Sequence, residues 1–248
     1  MGDFEDLMDI KLTALKDKLF SGKEANQLPA IAELVSFELN SGENLAEEGL
    51  QILDEFIQAR KAAHQEANTE PTWIDGKIHQ TLLQSNLPRA IALAEIHYPQ
   101  GVVTLRSEKA IDYQPIQVLL AKQDFEEADR ITSKKLCEAA SADALARGWL
   151  YFTEAKSIPV SDLQTINQLW LVYSEGKFGF SVQRKIWLSL GKGWEKFWLK
   201  IGWKKDGSFT RYPSGFIWSL DAPRGHLPLS NQLRGNKTMQ AIFSHPAW

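Results

Sequence analysis

Through the first hundred positions apolar residues recur at helical spacing, and each stripe ends at a breaker. Leu12, Leu15 and Leu19 precede Ser21-Gly22; Ile31, Leu34, Val35 and Leu39 precede Ser41-Gly42; Leu45, Leu50, Leu53, Phe56 and Ile57 follow it. Steps of three and four put each set on one helix face, so every stretch predicts an amphipathic helix. Ile74, Ile78, Leu82 and Leu83 predict another, and the turn Asn86-Leu87-Pro88 opens one more through Ile91, Leu93 and Ile96. Short connections between such helices predict a bundle or a repeat-like stack.

The pattern breaks at Tyr98-Pro99-Gln100-Gly101, and no period returns before Asp112. The predicted organisation is an N-terminal helical bundle over 1–98, a linker over 99–111 and a second domain over 112–248. In that domain Ile116, Val118, Leu119 and Leu120 open a helix, and Asp124 reads as the N-cap of another carrying Ala128, Ile131 and Leu136. Ser161 with Gln164 resembles a capping box ahead of a buried face of Leu163, Ile166, Leu169, Trp170 and Tyr173. Further helix is predicted over Val182 to Leu190 and Trp194 to Ile201. From Trp203 to Pro228 the breakers Gly207, Pro213, Gly215, Pro223, Gly225 and Pro228 alternate with Phe209, Arg211, Tyr212, Phe216 and Trp218, predicting a long structured loop. Loops of that length are usually functional.

Composition sharpens the division. Residues 1–148 hold 15 Lys+Arg against 25 Asp+Glu and residues 149–248 hold 13 against 6, so a net of −3 hides halves of −10 and +7. Eight of the nine tryptophans, Trp149, Trp170, Trp187, Trp194, Trp198, Trp203, Trp218 and Trp248, lie in the basic part. Large rings among cations suggest a surface shaped for something flat, apolar and anionic. Cys137 is the only cysteine, which excludes an internal disulfide and fits a reducing compartment. No apolar run approaches the roughly 20 residues of a membrane span. The acidic start reads as neither a secretory nor a transit leader, so the expected location is the cytoplasm.

Catalytic signatures are missing: no Gly-Lys pair is followed by Ser or Thr, and there is no Gly-x-Ser-x-Gly elbow, paired-His helix or dinucleotide fingerprint. His226, in Gly225-His226-Leu227-Pro228, reads as a hydrogen-bonded loop anchor rather than a chemical group. Asp124, Glu126, Glu127 and Asp129 read as a solvated first helical turn favoured by the helix dipole. Lys192, Lys196, Lys200 and Lys204 recur every four residues and predict one helix face, solvated or tracking phosphates. Arg211 and Arg234 sit among aromatic or loop residues, where a guanidinium can fork onto a carboxylate.

Several segments resemble a known family in order and spacing. Asp124-Phe125-Glu126-Glu127-Ala128-Asp129-Arg130-Ile131-Thr132, the stretch Leu169 to Gln183 (LWLVYSEGKFGFSVQ), Ile201-Gly202-Trp203 and Gly225-His226-Leu227-Pro228 are similar to the tetrapyrrole-binding "genomes uncoupled four" proteins over residues 112–248. The N-terminal part resembles the cyanobacterial, two-domain members. The resemblance implies an all-α protein whose core domain is shaped like a cupped hand with long loops. It implies binding of protoporphyrin IX and magnesium protoporphyrin IX, and stimulation of magnesium chelatase in chlorophyll biosynthesis through that enzyme's large porphyrin-binding subunit. It implies no catalysis, no required cofactor and no metal site, and it is compatible with peripheral membrane association. The family's ligand loop corresponds to Trp203–Trp218, bringing Phe209, Arg211, Tyr212 and Phe216 to the ligand. A second loop ends at Phe152, and the family's functional Asn and Arg match Asn231 and Arg234. Phe209 and Tyr212 stand where some relatives carry Trp.

A porphyrin is a broad apolar disc with two propionates on one edge, and it needs ring or aliphatic walls with a cation at the rim. At roughly 1 to 3 kcal/mol per stacked ring, two or three rings and one charge-assisted contact support about micromolar affinity. Two other readings compete: a single-stranded nucleic-acid module using the same aromatic and basic residues, and an interaction scaffold whose tryptophans are simply core.

Overall fold

The computed structural model describes residues 2–36, 43–85, 87–229 and 236–248. Leu39, Ser41, Gly42, Asn86, Asn231 and Arg234 lie outside them. The chain divides into two compact units, residues 1–102 and 103–248. Both are helical, as the apolar periodicity predicts.

In the first unit helices run over Gly2–Phe20 (α1), Glu24–Ser36 (α2), Glu43–Ala67 (α3), Trp73–Gln84 (α4) and Pro88–His97 (α5). Leu12, Leu15, Leu19, Ile31, Leu34, Leu53, Ile57, Ile74, Ile78 and Leu82 are all buried. The predicted stripe fails on α5, where Ile96 is 72% exposed and Ala90 and Ala94 face inward instead. A small residue permits closer helix approach than a branched one, and packing against α4 selects the alanine face. Thr72 and Asp75 form a capping box at the start of α4. Asp75 also takes a fork from Arg60, Nε to Oδ1 at 2.7 Å and Nη2 to Oδ2 at 2.8 Å, with His64 Nε2 at 3.1 Å. Burial alone raises the Asp75 carboxyl, but the Arg60 guanidinium holds it below the ordinary range. That buried ion pair joins α3 to α4.

The second unit contains Gln114–Ala121 (α6), Phe125–Ala140 (α7), Ala142–Arg147 (α8), Phe152–Ala155 (α9), Val160–Val172 (α10), Phe180–Ser189 (α11), Trp194–Lys200 (α12), a hairpin of Lys204–Lys205 (β1) with Ser208–Phe209 (β2), and Lys237–Phe243 (α13). Asp124 caps α7 as predicted, accepting the Glu127 N–H. Ser161 is no N-cap: α10 begins at Val160 after Pro159, and Gln164 reaches the Ala247 carbonyl. Asp162 takes the inward position instead and accepts hydrogen bonds from the Tyr113 and Ser107 hydroxyls and the Glu108 amide. Those bonds pin the irregular stretch before α6 to α10. One aromatic core joins Phe125, Trp170 and Phe178; another joins Trp187, Trp194, Phe197 and Phe243.

Three of the tryptophans are core packing and the rest are partly exposed. Trp170 and Trp203 are fully buried, Trp187 nearly so, and Trp170 Nε1 donates to Thr132 Oγ1 at 3.0 Å. Small helical units need large rings to fill the space between helices, and each buried ring contributes about 1.5 to 3 kcal/mol. The lysine row is also corrected. α12 covers only Trp194–Lys200, so Lys192 and Lys204 leave the helix; Lys192 stands over Trp187, and Lys204 pairs with Glu195. A single phosphate track does not form. Among the described residues no helix is long and apolar enough to cross a membrane.

Candidate functional site

The predicted loop from Trp203 begins as a hairpin. Lys204 faces Phe209 and Lys205 faces Ser208, joined by Asp206-Gly207, both with positive φ (50° and 79°). A two-residue Asp-Gly connection suits the twist of a hairpin, so the signal was present in the sequence. The hairpin holds Phe209 out: its ring is 45% exposed, meets the Trp198 edge at 5.0 Å and lies 5.4 Å from Lys204 Nζ.

The chain then turns tightly. Gly215 N–H donates to the Arg211 carbonyl at 2.8 Å, and a Cβ at Gly215 would stand 2.8 Å from that oxygen, so only glycine fits. Tyr212 is 52% exposed at the turn and packs against the Trp218 ring, whose Nε1 donates to the Pro213 carbonyl. Arg211 is exposed beside it. Phe216 differs from its neighbours. It is buried between Trp203 and His226, with ring centroids 6.4 and 5.4 Å away, so it supports the turn from behind rather than forming its outer wall. Ile217 and Trp218 also belong to this rim; sequence reasoning placed Trp218 in the aromatic loop without selecting it as a ligand contact, and it did not single out Ile217, which is exposed where Phe216 beside it is buried.

His226 explains why the rim stands where it does. Its Nε2 accepts the Ile217 N–H at 3.1 Å, and Nδ1 lies 2.6 Å from the Ile201 carbonyl. One acceptor and one donor define the neutral ring with the proton on Nδ1. Burial lowers the His226 pKa against the opposing Ile201 carbonyl, which keeps that form. His226 is the predicted loop anchor. Around it each of these links ends on the backbone of the segment: Gly225 N–H to the Lys177 carbonyl, Gly179 N–H to the Leu227 carbonyl, Trp203 Nε1 to the His226 carbonyl, and Gln183 Nε2 to the carbonyls of Gly225 and Pro228. Residues 225–229 are thus a rigid spine behind the rim.

The rim faces the start of α7. Burial raises the Tyr212 phenol, and the nearby carboxylates of Asp129 and Glu126 raise it further, opposed by Arg130. The acidic turn is not uniformly solvated as predicted: Asp129 is 3% exposed because its carboxylate turns inward to the Leu229 amide. Phe152, 40% exposed, begins α9. Lys237 Nζ lies 5.6 Å from its ring, and the Arg147 guanidinium lies over the touching Trp149 and Tyr151 rings at 4.5 and 4.4 Å. The structure brings Tyr212 and Phe216 together beside Arg211, holds Phe209 against Trp198 on the hairpin that leads into the turn, sets Phe152 beside Lys237, and does not describe Asn231 or Arg234.

A mainly helical unit that carries an exposed aromatic turn on a hydrogen-bonded spine has the form of a binding surface. Residues 106–246 match the GUN4-like family and residues 6–99 match the ARM-like repeat domain found at the N-terminus of GUN4 proteins. A Ycf53-like protein of Synechocystis sp. is 43% identical over 241 residues, 97% of this chain and 98% of its own. The chloroplastic tetrapyrrole-binding protein of Arabidopsis thaliana is 38% identical over 150 residues, 57% of each chain. The GUN4 structure from Chlamydomonas reinhardtii superposes with a TM-score of 0.55 at 46% identity, covering 58% of this chain and 95% of that one. Ligand-free Arabidopsis thaliana GUN4 gives 0.52 at 40% identity, covering 56% and 98%. The chain belongs to the GUN4-like family.

Proposed function

We propose that the protein binds tetrapyrroles, protoporphyrin IX and magnesium protoporphyrin IX, and stimulates magnesium chelatase through its large porphyrin-binding subunit without catalysing a reaction itself. The observation that carries the reading is the pair of half-exposed rings, Phe209 and Tyr212, held outward by the hairpin and by the His226 spine in a chain of this family. Rings fixed in advance lose little conformational freedom when they cover a flat apolar ligand. Arg211 and Arg234 are the proposed partners of the propionates, Asn231 approaches the metal or its water, and Phe152 supplies a second wall. Phe216 acts by supporting the turn. The proposed setting is the cytoplasm of a chlorophyll-making cell.

The test is a titration of the purified chain with protoporphyrin IX, followed by tryptophan quenching. Saturation at about micromolar concentration is expected. The absence of any saturable change by roughly tens of micromolar ends the reading. A binding signal for single-stranded nucleic acid that collapses as salt rises would favour the competing module.

A further inference from the structure

The acidic turn of α7 is divided by burial. Asp124 and Glu126 are solvated, Glu127 is engaged by Arg130, and Asp129 is buried. Its Oδ1 accepts the Leu229 N–H at 2.6 Å, from a residue one hundred positions further along. Leu229 ends the spine that carries His226, and the His226 ring in turn holds the Ile217 amide. The other links of the spine are made by neutral groups: the Gln183 amide, the Gly179 and Gly225 amides and the Trp203 indole. An acid stands at the link to Leu229. A buried amide left without an acceptor costs about 1 to 3 kcal/mol, so the Asp129 contact fixes the end of the spine.

We propose that Asp129 is a positioning residue for the ligand loop: by clasping Leu229 it sets, through the spine and His226, where the Tyr212–Trp218 turn stands. The ligand in this proposal rests on the tetrapyrrole reading above; the clasp does not. Burial pushes the Asp129 carboxyl up to about 8, against the opposing Leu229 amide. Among the described residues, the titratable and charged groups around Asp129 and the turn are Tyr212 on the loop and Glu126, Glu127 and Arg130 on α7. Among the described residues none of these neutralises the acid inside the unit, because Arg130 is turned onto Glu127 at the surface. Ionisation strengthens the Leu229 N–H contact but places a charge in an apolar site, and burial, the larger of the two effects, draws the carboxylate toward water and away from Leu229.

Two full-length variants test this. Asp129→Asn keeps the acceptor oxygen and does not titrate, while Asp129→Leu keeps the volume and removes the acceptor. The measurements are the dissociation constant for protoporphyrin IX at about pH 7 and about pH 9, and hydrogen exchange at the Leu229 amide in the free protein. The wild-type affinity is expected to fall several-fold on raising the pH, and that of Asp129→Asn to stay at its neutral value. Asp129→Leu is expected to bind about tenfold more weakly at both, with Leu229 exchanging about tenfold faster, the scale of one lost hydrogen bond. A folded Asp129→Leu that binds and exchanges like the wild type overturns the proposal. So does an Asp129→Asn whose pH profile follows the wild type, a comparison that stands even when the leucine variant does not fold. When no form binds a tetrapyrrole, the proposed function falls and exchange at Leu229 alone decides the clasp.

Discussion

Each unit buries an aspartate to the same 3% exposure, and the two meet opposite fates. Asp75 in the first unit receives both arms of Arg60 and remains charged; Asp129 in the second receives one backbone amide and is pushed up to about 8. A guanidinium supplies a full compensating charge together with geometry, whereas an amide supplies only a dipole. The first arrangement fastens two helices and titrates only in acid. The second leaves a proton that can be lost under mildly alkaline conditions beside the proposed ligand loop.

The sharpest way to break the comparison is to remove the guanidinium. Arg60→Leu leaves Asp75 buried without its partner and is expected to destabilise the first unit by about 3 to 5 kcal/mol, read by denaturant unfolding of the full chain. A loss below about 1 kcal/mol shows that His64 and Thr72 suffice. In the second unit Phe216→Ala empties a buried ring site and is expected to cost about 3 to 5 kcal/mol. Phe209→Ala removes a half-exposed ring and is expected to weaken protoporphyrin binding by about 1 to 3 kcal/mol with little change in stability. Equal stability losses for the two would erase the distinction between the rim and its support.

The two aspartates also have opposite pH signatures. The contribution of Asp75, whose folded pKa is lowered, is present above about 3.8 and is lost as the pH falls. That of Asp129, whose folded pKa is raised, is complete below about 3.8 and is lost as the pH rises through about 8. Thermal unfolding across roughly pH 6 to 9 is expected to show a decline that Asp129→Asn abolishes. The smallest effect belongs to Lys196, exposed on α12: Lys196→Ala is expected to move stability by no more than about 0.5 kcal/mol. A larger shift would restore an ordered role for the basic residues.

Much of the helical architecture was legible in the sequence because helix formation depends on residues three and four apart. Leu12, Leu15 and Leu19 turn inward together, and Asp124 caps its helix through an amide three residues on. The GUN4-like segments were legible for a related reason: their order and spacing lie within short windows. The aromatic loop was legible as a region but not residue by residue. Phe209, Tyr212 and Phe216 look alike in composition, yet Phe216 is buried by contacts with Trp203 and His226, and the hairpin that lifts Phe209 was overlooked despite its Asp-Gly turn.

By itself the sequence determined the helices, their apolar faces and the family signature, all of which rest on local spacing. Only the tertiary structure decided which aromatic rings stand out, which alanine face of α5 turns inward, and whether an acid in an acidic turn meets water or the amide of Leu229. Those outcomes depend on partners tens of residues away, and burial acts on whatever the folded chain brings together.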